Sequence, residues 1–532
     1  MIYTSPYPDF PIPQDEVVYS HIERNARAVP NKAAFICGLS KREVTFAQLF
    51  EQSQKIVAGL HANGIKRGDV VIVHSFNCIE YPVVFFALNR LGAICSPTSP
   101  MFNPKELADQ IELGKAKAVI VHKMLAPVGI GAAKIAGIPA NQVYSFAPGP
   151  GSVPIESIED IIAKNLPFPA NLPPIEPSDV VTLPFSSGTT GRPKGVELTG
   201  RALLACAMNT AVLEEDVPYV LGMLPFFHIM ATMVFHVTVY KGITVVVLPK
   251  FEPEDFLRVV QDYKITKLAL APPLLLFLAK HPIVDKYDLS HVEALSSGGA
   301  PLGVELERLV SKRLNTKVYQ GYGMTEFSAT VCYCTPEYAR AGSVGRLIPN
   351  TVMKIKSLTT DEDLGPNQTG ELLFRTPQMM KGYFNDPEAN AVTFTKDGFL
   401  RTGDIGYIDD DGYIFIVDRV KELIKYKGHQ VAPAELEDVL NNHPSIEDSC
   451  CVRGQERETG EEVPKAYVVR KAGSKLTKKD VMDYVASKVA FFKKVRDVEF
   501  IDAIPKSLSG KILRRELQVK ENEKIKAQQS RL

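Results

Sequence analysis

The sequence has no tryptophan, no net charge and no long hydrophobic run. Its formal charge at pH 7 is +0, which argues against nucleic acid or an anionic membrane surface as a bulk partner. The longest apolar stretches, such as residues 268–278, are interrupted by Pro272 and Pro273 and are too short to span a bilayer. The first residues lack the basic and apolar regions of a signal peptide. We therefore expect an ordinary soluble globular protein.

The eight cysteines also lack the spacing of a metal site. None form a CxxC pair, and the close pairs Cys332 with Cys334 and Cys450 with Cys451 have no nearby histidine ligands. Buried reduced thiols are the expected state, which fits a reducing compartment. At 532 residues the chain is too long for one hydrophobic core, so we expect two or more domains.

The sequence does contain a glycine- and hydroxyl-rich run, residues 186–195 (SSGTTGRPKG), after an extended apolar segment. Its glycines allow successive N–H groups to point at one anion, while the hydroxyls and Lys194 add donors and positive charge. The run therefore predicts a phosphate-binding loop, with a plain flexible hairpin as the alternative. It is not a Walker P-loop, because Lys194 stands between Pro193 and Gly195 with no Ser or Thr after it.

Strand-like and helix-like segments alternate along much of the chain, which predicts a parallel sheet with crossover helices. Residues 69–75 read as a strand buried on both faces, and residues 46–63 have helical spacing of apolar residues. We expect the Pro- and Gly-rich residues 148–177 to cross the surface. The composition becomes rich in Lys and Glu near Lys421, which predicts domains 1–420 and 421–532. The polar residues from Lys520 onward are expected to be mobile.

Other segments carry groups that suit a nucleotide. In the loop 319–326 (YQGYGMTE), glycines let the backbone approach a flat ligand, and Glu326 could hold Mg²⁺ against phosphates. Asp404 lies on a turn (RTGD) and could accept two ribose hydroxyls, and Lys511 follows a Ser/Gly loop. Each has a plainer alternative: a surface charge for Glu326, a turn cap for Asp404 and a solvated side chain for Lys511.

Together these segments resemble the adenylate-forming superfamily of acyl-CoA synthetases, 4-coumarate–CoA ligases and beetle luciferases. The resemblance covers roughly residues 17–516 and rests on SSGTTGRPKGV, PFFH, SSGGAPLG, QGYGMTE, RTGD, VDRVKELIKYKGHQVAPAELE and PKSLSGKILRREL. VDKYDLS and IKYKG favour the coumarate ligase and luciferase branch. The implied fold is α/β, with a large N-terminal domain of stacked α/β subdomains plus a β-barrel-like subdomain, and a small mobile α+β C-terminal domain.

The resemblance implies a reaction in two steps. A carboxylic acid attacks the α-phosphate of ATP to give an acyl-adenylate and pyrophosphate, and a thiol, usually of coenzyme A, then displaces AMP. A carboxylate acylates poorly until its oxygen becomes a leaving group, and positive charge aimed at the phosphates brings the two anions together. ATP, Mg²⁺ and coenzyme A are thus the implied cosubstrates and cofactor.

Roles for individual residues follow from the same resemblance. The implied ATP and AMP contacts are Ser186, Ser187, Gly188, Thr189, Thr190, Lys194, Gly299, Ala300, Gln320, Gly321, Tyr322, Thr325, Asp404, Arg419 and Lys511. The implied catalytic residues are Lys511, His228, Thr325, Glu326, Lys425 and Gln430, of which Glu326 is also the metal ligand. Lys250, Lys427 and Gly428 match coenzyme A contacts. Lys421 matches a hinge whose rotation would withdraw Lys511 and bring up residues 425–428.

The implied acyl pocket comprises His228, Met230, Met233, Val234 and Phe327. A core histidine is the alternative for His228. No acidic residue occurs in residues 229–235, so a substrate with an ammonium group, which would be costly to bury unpaired, is disfavoured. Met230 and Met233–Val234 stand where plant 4-coumarate ligases often carry Tyr and Asn-Ser. The loss of hydrogen-bonding groups favours a medium- or long-chain fatty acid.

Several other functions stay open at this point. They are a 4-coumarate–CoA ligase acting on cinnamic-type acids, a luciferase-type oxygenase, a P-loop-type kinase and a non-catalytic nucleotide-binding relative. The missing GK[ST] disfavours the kinase. The joint presence of Lys194, Glu326, Asp404, Arg419 and Lys511 argues against the non-catalytic relative.

The last three residues, Ser530, Arg531 and Leu532, are a conservative variant of the SKL peroxisomal signal. They predict an import receptor as a partner and the peroxisome as the location. The cytoplasm is the expected location if the tail is not recognised.

Overall fold

The computed structural model describes residues 1–149, 151–186, 193–300, 302–360, 362–427, 429–456, 461–507 and 510–529. Some residues with predicted roles lie outside these ranges, namely Ser187, Gly188, Thr189, Thr190, Gly428, Ser530, Arg531 and Leu532.

The helices are numbered in chain order. They are α1 Val18–Ala28, α2 Phe46–Ala62, α3 Glu80–Leu91, α4 Pro104–Leu113, α5 Ala126–Ile135, α6 Ile158–Ala163, α7 Gly200–Ala211, α8 Ile229–Lys241, α9 Pro253–Asp262, α10 Pro272–Lys280, α11 Val304–Leu314, α12 Pro387–Thr393, α13 Pro433–Asn441, α14 Lys478–Ala486 and α15 Arg514–Gln529.

The strands are numbered in the same way. They are β1 Tyr3–Thr4, β2 Ala33–Cys37, β3 Glu43–Thr45, β4 Val70–His74, β5 Ile94–Thr98, β6 Ala118–His122, β7 Val143–Phe146, β8 Val180–Thr182, β9 Phe185–Ser186, β10 Lys194–Thr199, β11 Tyr219–Gly222, β12 Thr244–Val247, β13 Lys267–Leu270, β14 Ala294–Ser297, β15 Lys317–Gln320, β16 Tyr322–Met324, β17 Ala329–Tyr333, β18 Arg346–Leu347, β19 Val352–Lys356, β20 Gly370–Arg375, β21 Gly382–Tyr383, β22 Leu400–Ile408, β23 Ile414–Arg419, β24 Ile424–Tyr426, β25 His429–Val431, β26 Ile446–Gln455, β27 Glu462–Arg470 and β28 Asp497–Phe500.

The first subdomain is a sheet of order β21-β10-β8-β5-β4-β6-β7 with helices on both faces. Strands β4, β5, β6, β7 and β8 pair in parallel, and β4 and β6 are fully buried, as their β-branched composition predicts. Helices α2 and α3 bury residues such as Phe46 and Phe85 in one core. Helices α4 and α5 bury Leu107 and Ala132 in another. The predicted parallel α/β arrangement is confirmed.

A second α/β subdomain contains the sheet β11-β12-β2-β3 and the parallel sheet β13-β14-β15. Its core joins Phe256 of α9, Leu275 of α10 and Val310 of α11. Strands β14 and β15 end side by side at Ser297 and Gln320, so the loops that follow them leave the same edge of the sheet. This edge carries the predicted motifs 298–300 and 321–326.

The third subdomain is antiparallel, with the order β1-β19-β20-β22-β23 and a core that contains Met353 and Phe374. The C-terminal domain combines the sheet β26-β27-β28, the hairpin β24–β25 and helices α13, α14 and α15. The expected large N-terminal domain and small α+β C-terminal domain are therefore present. No helix in the ranges that the structure describes is both long and apolar enough to traverse a membrane.

One local expectation was wrong. The chain from Lys520 is helical up to Gln529, because the buried carboxylate of Glu521 accepts a hydrogen bond from the Tyr467 hydroxyl and pairs with Lys465 Nζ at 2.7 Å. The described residues of 148–177 do cross the surface, and they include the short helix α6, of which Ile158 and Ile161 are buried. The strand β10 begins within the phosphate-loop motif, at Lys194, and pairs with β9.

Candidate active site

The phosphate-loop motif joins the two strands of a hairpin. Ser186 ends β9 and Lys194 begins β10, and the two residues are paired across the antiparallel ladder, so residues 187–193 connect them. Lys194 Nζ lies 3.5 Å from Asp386 Oδ2 and 4.9 Å above the centre of the Tyr383 ring. A hydroxyl and a cation therefore flank the mouth of the predicted phosphate loop.

Glu326 lies beside this hairpin. It follows β16 in a short 3₁₀ turn and is only 4% exposed. Its Oε1 accepts hydrogen bonds from Ser186 Oγ at 3.2 Å and from the Tyr383 hydroxyl at 2.9 Å. Sequence reasoning missed Tyr383, because only the pairing of β21 with β10 brings it here. A buried carboxylate next to a phosphate-binding loop fits the oxygen ligands that Mg²⁺ prefers.

Asp404 and Arg419 are paired residues on β22 and β23. Arg419 Nε donates to Asp404 Oδ1 at 3.1 Å, and the Tyr322 hydroxyl donates to Asp404 Oδ2 at 2.5 Å. The carboxylate of Asp404 is 5% exposed and is held in one orientation by these two donors. Burial, with the negative charge of Asp404 next, raises the pKa of Tyr322 well above its ordinary value, so the hydroxyl stays protonated and donates.

Lys511 extends from the C-terminal domain into this group. Gly510, with φ of 78°, passes so close to α10 that an added Cβ would lie 2.6 Å from Pro273 Cγ. Burial, followed by the positive charge of Arg419, lowers the pKa of Lys511 to about 8, while the carboxylates of Asp404 and Glu326 oppose the shift. The structure therefore brings Lys511 together with the residues predicted to hold the ribose and the metal.

His228 caps the N-terminus of α8, where its Nδ1 accepts from the Met230 backbone N–H at 3.3 Å. Burial, with a further contribution from the Lys511 charge, lowers the pKa of His228 to about 4. The neutral ring with an accepting Nδ1 must carry its proton on Nε2. His228 can therefore donate a hydrogen bond from Nε2 at neutral pH, and it lies near enough to Lys511 to sense its charge.

Met230 packs against a strip of glycines. Its Cε lies 3.2 Å from the position of an added Cβ on Gly298, and its Sδ lies 3.3 Å from that of Gly299. Gly299 has φ of 81°, a conformation that glycine adopts without strain. The thioether thus borders the backbone of residues 298–300, on which the sequence predicts contacts with the nucleotide.

Two predicted ligand contacts need correction. Gln320 can contact a nucleotide through its backbone rather than its side chain, because its amide is hydrogen-bonded to Leu302 and Glu307. Phe327 is fully buried, with its ring centre 5.6 Å from that of Phe374 in the core of the antiparallel subdomain. We therefore remove Phe327 from the acyl-pocket wall. Its position after the Thr-Glu pair suggested a pocket residue, but its side chain belongs to the core.

The remaining predicted residues are spread around the site. Gly321 follows β15, and Thr325 begins the turn that holds Glu326. Ala300 follows the glycine strip, while Met233 and Val234 lie on α8.

Other residues predicted to assist catalysis, to contact coenzyme A or to act as the hinge lie elsewhere. Lys425 and Gln430 are exposed and pair across the hairpin β24–β25, and Lys427 lies in the turn after β24. Lys250 is exposed and pairs with Glu252 at 2.7 Å. Lys421 lies in an exposed turn directly after β23. The structure therefore gathers the residues predicted for adenylate formation and leaves these five on the surface.

Comparison with protein families agrees with the site. The family model of AMP-binding enzymes matches residues 22–384, and that of the AMP-binding enzyme C-terminal domain matches residues 435–511. The 4-coumarate–CoA ligase 2 of Nicotiana tabacum is 40% identical over 543 residues, which cover 98% of this chain and 97% of that enzyme. The 4-coumarate–CoA ligase CCL1 of Humulus lupulus is 39% identical, over 98% of this chain and 96% of its own.

Solved structures share the whole architecture. ATP-bound MatB from Rhodopseudomonas palustris superimposes with a TM-score of 0.85 at 25% identity, over 95% of this chain and 99% of its own. The o-succinylbenzoate CoA synthetase of Bacillus subtilis, in complex with the acyl-adenylate OSB-AMP, gives 0.81 at 25% identity, over 94% of this chain and 98% of its own.

Proposed function

The chain belongs to the AMP-binding enzymes, ATP-dependent and AMP-forming CoA ligases, and on that premise we propose that it ligates a cinnamic-type aromatic acid to coenzyme A. The relatives named 4-coumarate–CoA ligase, which match nearly the full length at 38–40% identity, support this acid better than the fatty acid expected from the sequence. The ligase class itself follows from the family.

The side chain of Met230 supports an aromatic acid. Met230 is the predicted acyl-pocket residue on α8 whose thioether borders the backbone of residues 298 and 299. A sulfur at the edge of an aromatic ring stabilises the contact by about 0.3–1.5 kcal/mol. Met230, Met233 and Val234 offer no hydrogen-bonding side chain to a phenolic hydroxyl. We therefore propose an enzyme that accepts cinnamic acid nearly as well as 4-coumaric acid, because a wall without a polar partner cannot discriminate strongly for a hydroxyl.

In the proposed reaction, each domain has a separate task. Ser186 and Lys194 hold the phosphates, Asp404 and Arg419 hold the ribose, and His228 Nε2 donates to the acid. Mg²⁺, held by Glu326, would neutralise phosphate charge. One carboxylate oxygen attacks the α-phosphorus as the bond to pyrophosphate breaks, and the ammonium of Lys511 stabilises the charge on the oxygens involved. In the second step the sulfur of coenzyme A forms the thioester, its proton is lost and AMP leaves.

The observation that carries the aromatic acid is the near full-length match to relatives named 4-coumarate–CoA ligase. The adenylation step rests on Lys511, whose pKa responds to the charges of Arg419, Asp404 and Glu326. The test measures release of pyrophosphate and AMP with a panel of cinnamic, benzoic and fatty acids, with and without coenzyme A. Thioester formation on cinnamic-type acids that collapses in Lys511→Ala would support the proposal. The matched control is Lys506→Ala, which removes a lysine of the same loop that pairs with Asp448 at 2.6 Å.

A fatty acid is the second candidate. Met233 lies on α8 and packs against two apolar clusters, so the wall can also accept an alkyl chain. In the same panel, turnover confined to medium- or long-chain acids would select this candidate and reject the aromatic acid.

A peroxisomal location stays a proposal. If the protein ends at Leu532, the residues Ser530-Arg531-Leu532 follow directly on α15. That helix is attached to the C-terminal domain by two ion pairs, Glu521 with Lys465 and Lys524 with Glu499. Support would be a tagged protein that enters peroxisomes and stays outside them when Leu532 is deleted. A cytosolic protein that enters only after Arg531→Lys would contradict the proposal.

A further inference from the structure

We propose that Glu307 is a positioning residue for the nucleotide, because it holds the side chain that fixes the spacing of two backbone strips, residues 298–300 and 320–322. The inference rests on the proposed function in one respect: those strips are taken to border the adenine. Glu307 belongs to none of the motifs that define the site, and it is a buried residue of α11. We call the place between the two strips the slot.

The link between the strips is the side chain of Gln320. Its Nε2 donates to the Leu302 carbonyl at 3.1 Å, and its Oε1 accepts from the Leu302 N–H at 3.2 Å. Leu302 continues the chain just after the strip 298–300, while Gln320 begins the strip 320–322. One amide therefore joins both edges of the slot through two hydrogen bonds.

Glu307 fixes the orientation of that amide. Its Oε1 accepts from Gln320 Nε2 at 2.5 Å, and its Oε2 accepts from the Gly342 N–H at 3.3 Å. An amide rotated by 180° would turn its oxygen towards the carboxylate, so only the observed orientation is favourable. The same orientation is required for both contacts with Leu302.

Burial of the Glu307 carboxylate costs free energy, because the charged form loses its contact with water. The side chain is 4% exposed, and no lysine or arginine in the described part of the chain forms an ion pair with it. Burial raises the pKa of Glu307 to about 7, against which the hydrogen bonds from Gln320 and Gly342 and the charge of Arg308 act. An apolar side chain would avoid this cost, which supports a role in holding the amide.

The slot itself depends on such support, because its edges are backbone. Gly299 and Gly321 contribute no side chains, and the Gly321 N–H donates to the Ser297 carbonyl at 2.9 Å. The hydrogen bond from Gly321 to Ser297 is the last one between the backbones of β14 and β15. Beyond it, the two hydrogen bonds between the Gln320 amide and Leu302 set the distance between the strips. Loss of the Glu307 carboxylate would let the amide rotate and the strips separate.

The test compares Glu307→Met, Glu307→Gln and wild type by calorimetric titration of AMP without any acid. Kinetics then give KM for ATP, kcat, KM for the acid and the preference for ATP over GTP. In Glu307→Met we expect Kd for AMP and KM for ATP to rise about tenfold, as for one lost charged hydrogen bond. We also expect a weaker preference for ATP, with little change in kcat at saturating ATP. Glu307→Gln retains an acceptor and should recover most of the affinity.

The matched control is Glu305→Met, on the exposed side of the first turn of α11. It removes a carboxylate from the same helix and should leave all the constants unchanged. If Glu307→Met folds poorly, Glu307→Asp serves instead. The shorter side chain keeps the carboxylate but moves it away from the Gln320 amide, so Kd for AMP and KM for ATP should rise less than in Glu307→Met.

Two results would overturn the inference. The first is a Glu307→Met variant whose affinity for AMP and preference for ATP over GTP are unchanged. The second is a Glu307→Met variant whose kcat falls and whose KM for the acid rises to the same extent, with neither constant recovered in Glu307→Gln. Because AMP binding is measured without acid, an error in the proposed acid would leave this result standing. A wild-type protein that binds no AMP would overturn both proposals.

Discussion

The N-terminal and C-terminal domains build the site in different ways. In the N-terminal domain, Glu326 and Asp404 are buried and each accepts two hydrogen bonds from neighbouring strands and turns. The C-terminal domain contributes Lys511, which extends from a loop whose neighbour Gly510 touches Pro273. The difference teaches that nucleotide binding and the charge that drives the chemistry are separable, so substitutions in the two domains should affect different kinetic constants.

The Lys511 loop is nevertheless firmly anchored within its own domain. Three residues later, Arg514 donates to both carboxylate oxygens of Glu437, at 2.8 and 2.6 Å, and to the Cys451 carbonyl at 3.0 Å. It also pairs with Glu422, just after the proposed hinge residue Lys421. Lys511 is therefore carried by the C-terminal domain as a whole, and any movement of that domain would move the cation.

The largest expected effect is that of Lys511→Ala on adenylate formation. Loss of the ammonium should lower kcat for pyrophosphate release by about 10²–10³, the magnitude measured for one oxyanion-hole donor. Steady-state pyrophosphate release with a saturating acid checks this. A loss of less than about fivefold would show that Lys511 does not act on the transition state.

The charge on Lys511 should also set the alkaline limit of the reaction. With a pKa of about 8, the ammonium is lost above that pH, and adenylate formation should fall about tenfold per pH unit. Lys511→Arg keeps its charge and should remove this limb of the pH profile, although with a lower maximum. If adenylate formation in Lys511→Arg still falls at alkaline pH as in wild type, the titrating group is not Lys511.

The same shift has a consequence for stability. Folding lowers the pKa of Lys511 from 10.5 to about 8, so between these values the unfolded chain binds more protons and stability should rise with pH. Lys511→Met should remove this contribution and raise Tm at pH 7 relative to wild type, as measured by thermal unfolding. A lower Tm in Lys511→Met would contradict the assigned desolvation.

On the N-terminal side, Asp404→Asn should act on binding. The amide cannot accept on both sides as the carboxylate does, so the hold on the ribose should weaken. We expect KM for ATP to rise about tenfold with kcat changed less than about threefold. A Tyr322→Phe control, which frees Oδ2 of Asp404, should be milder. If Asp404→Asn lowered kcat and left KM for ATP unchanged, the N-terminal domain would not act mainly on nucleotide binding, and the account would be contradicted.

The smallest expected effect is at the contact between the domains. An added Cβ on Gly303, at the N-terminus of α11, would collide with Oδ1 of Asp438 on α13. Asp438 is partly exposed and can move, so Gly303→Ala should lower kcat for adenylate formation only about twofold. Adding Asp438→Ala should restore it, because the collision is then absent. Additive losses in the double variant would contradict a direct contact.

Much of the fold could be predicted because its signals are local. Helical spacing located α2 within one residue at its C-terminal end, and a β-branched run located β4. The site motifs are local too, since glycines and turns place Asp404 and Gly299 directly. What could not be predicted depends on contacts between distant segments. Tyr383 reaches Glu326 only through strand pairing, and the helical C-terminal residues depend on the buried pair of Lys465 with Glu521.

Side-chain direction was the other limit. The sequence places Gln320 and Phe327 next to ligand-binding backbone, but it does not determine which way each side chain points. Gln320 turns towards Glu307, and Phe327 turns into the core beside Phe374. In both cases the partner lies outside every recognised motif.

The most direct test of the division between the domains is a calorimetric titration of ATP with Mg²⁺ into Lys511→Ala, with single-turnover adenylate formation measured on the same protein. We predict Kd for ATP within about threefold of wild type and an adenylation rate lower by about 10²–10³. A Kd that weakens in proportion to the rate would contradict the account, because the cation would then hold the nucleotide rather than the transition state.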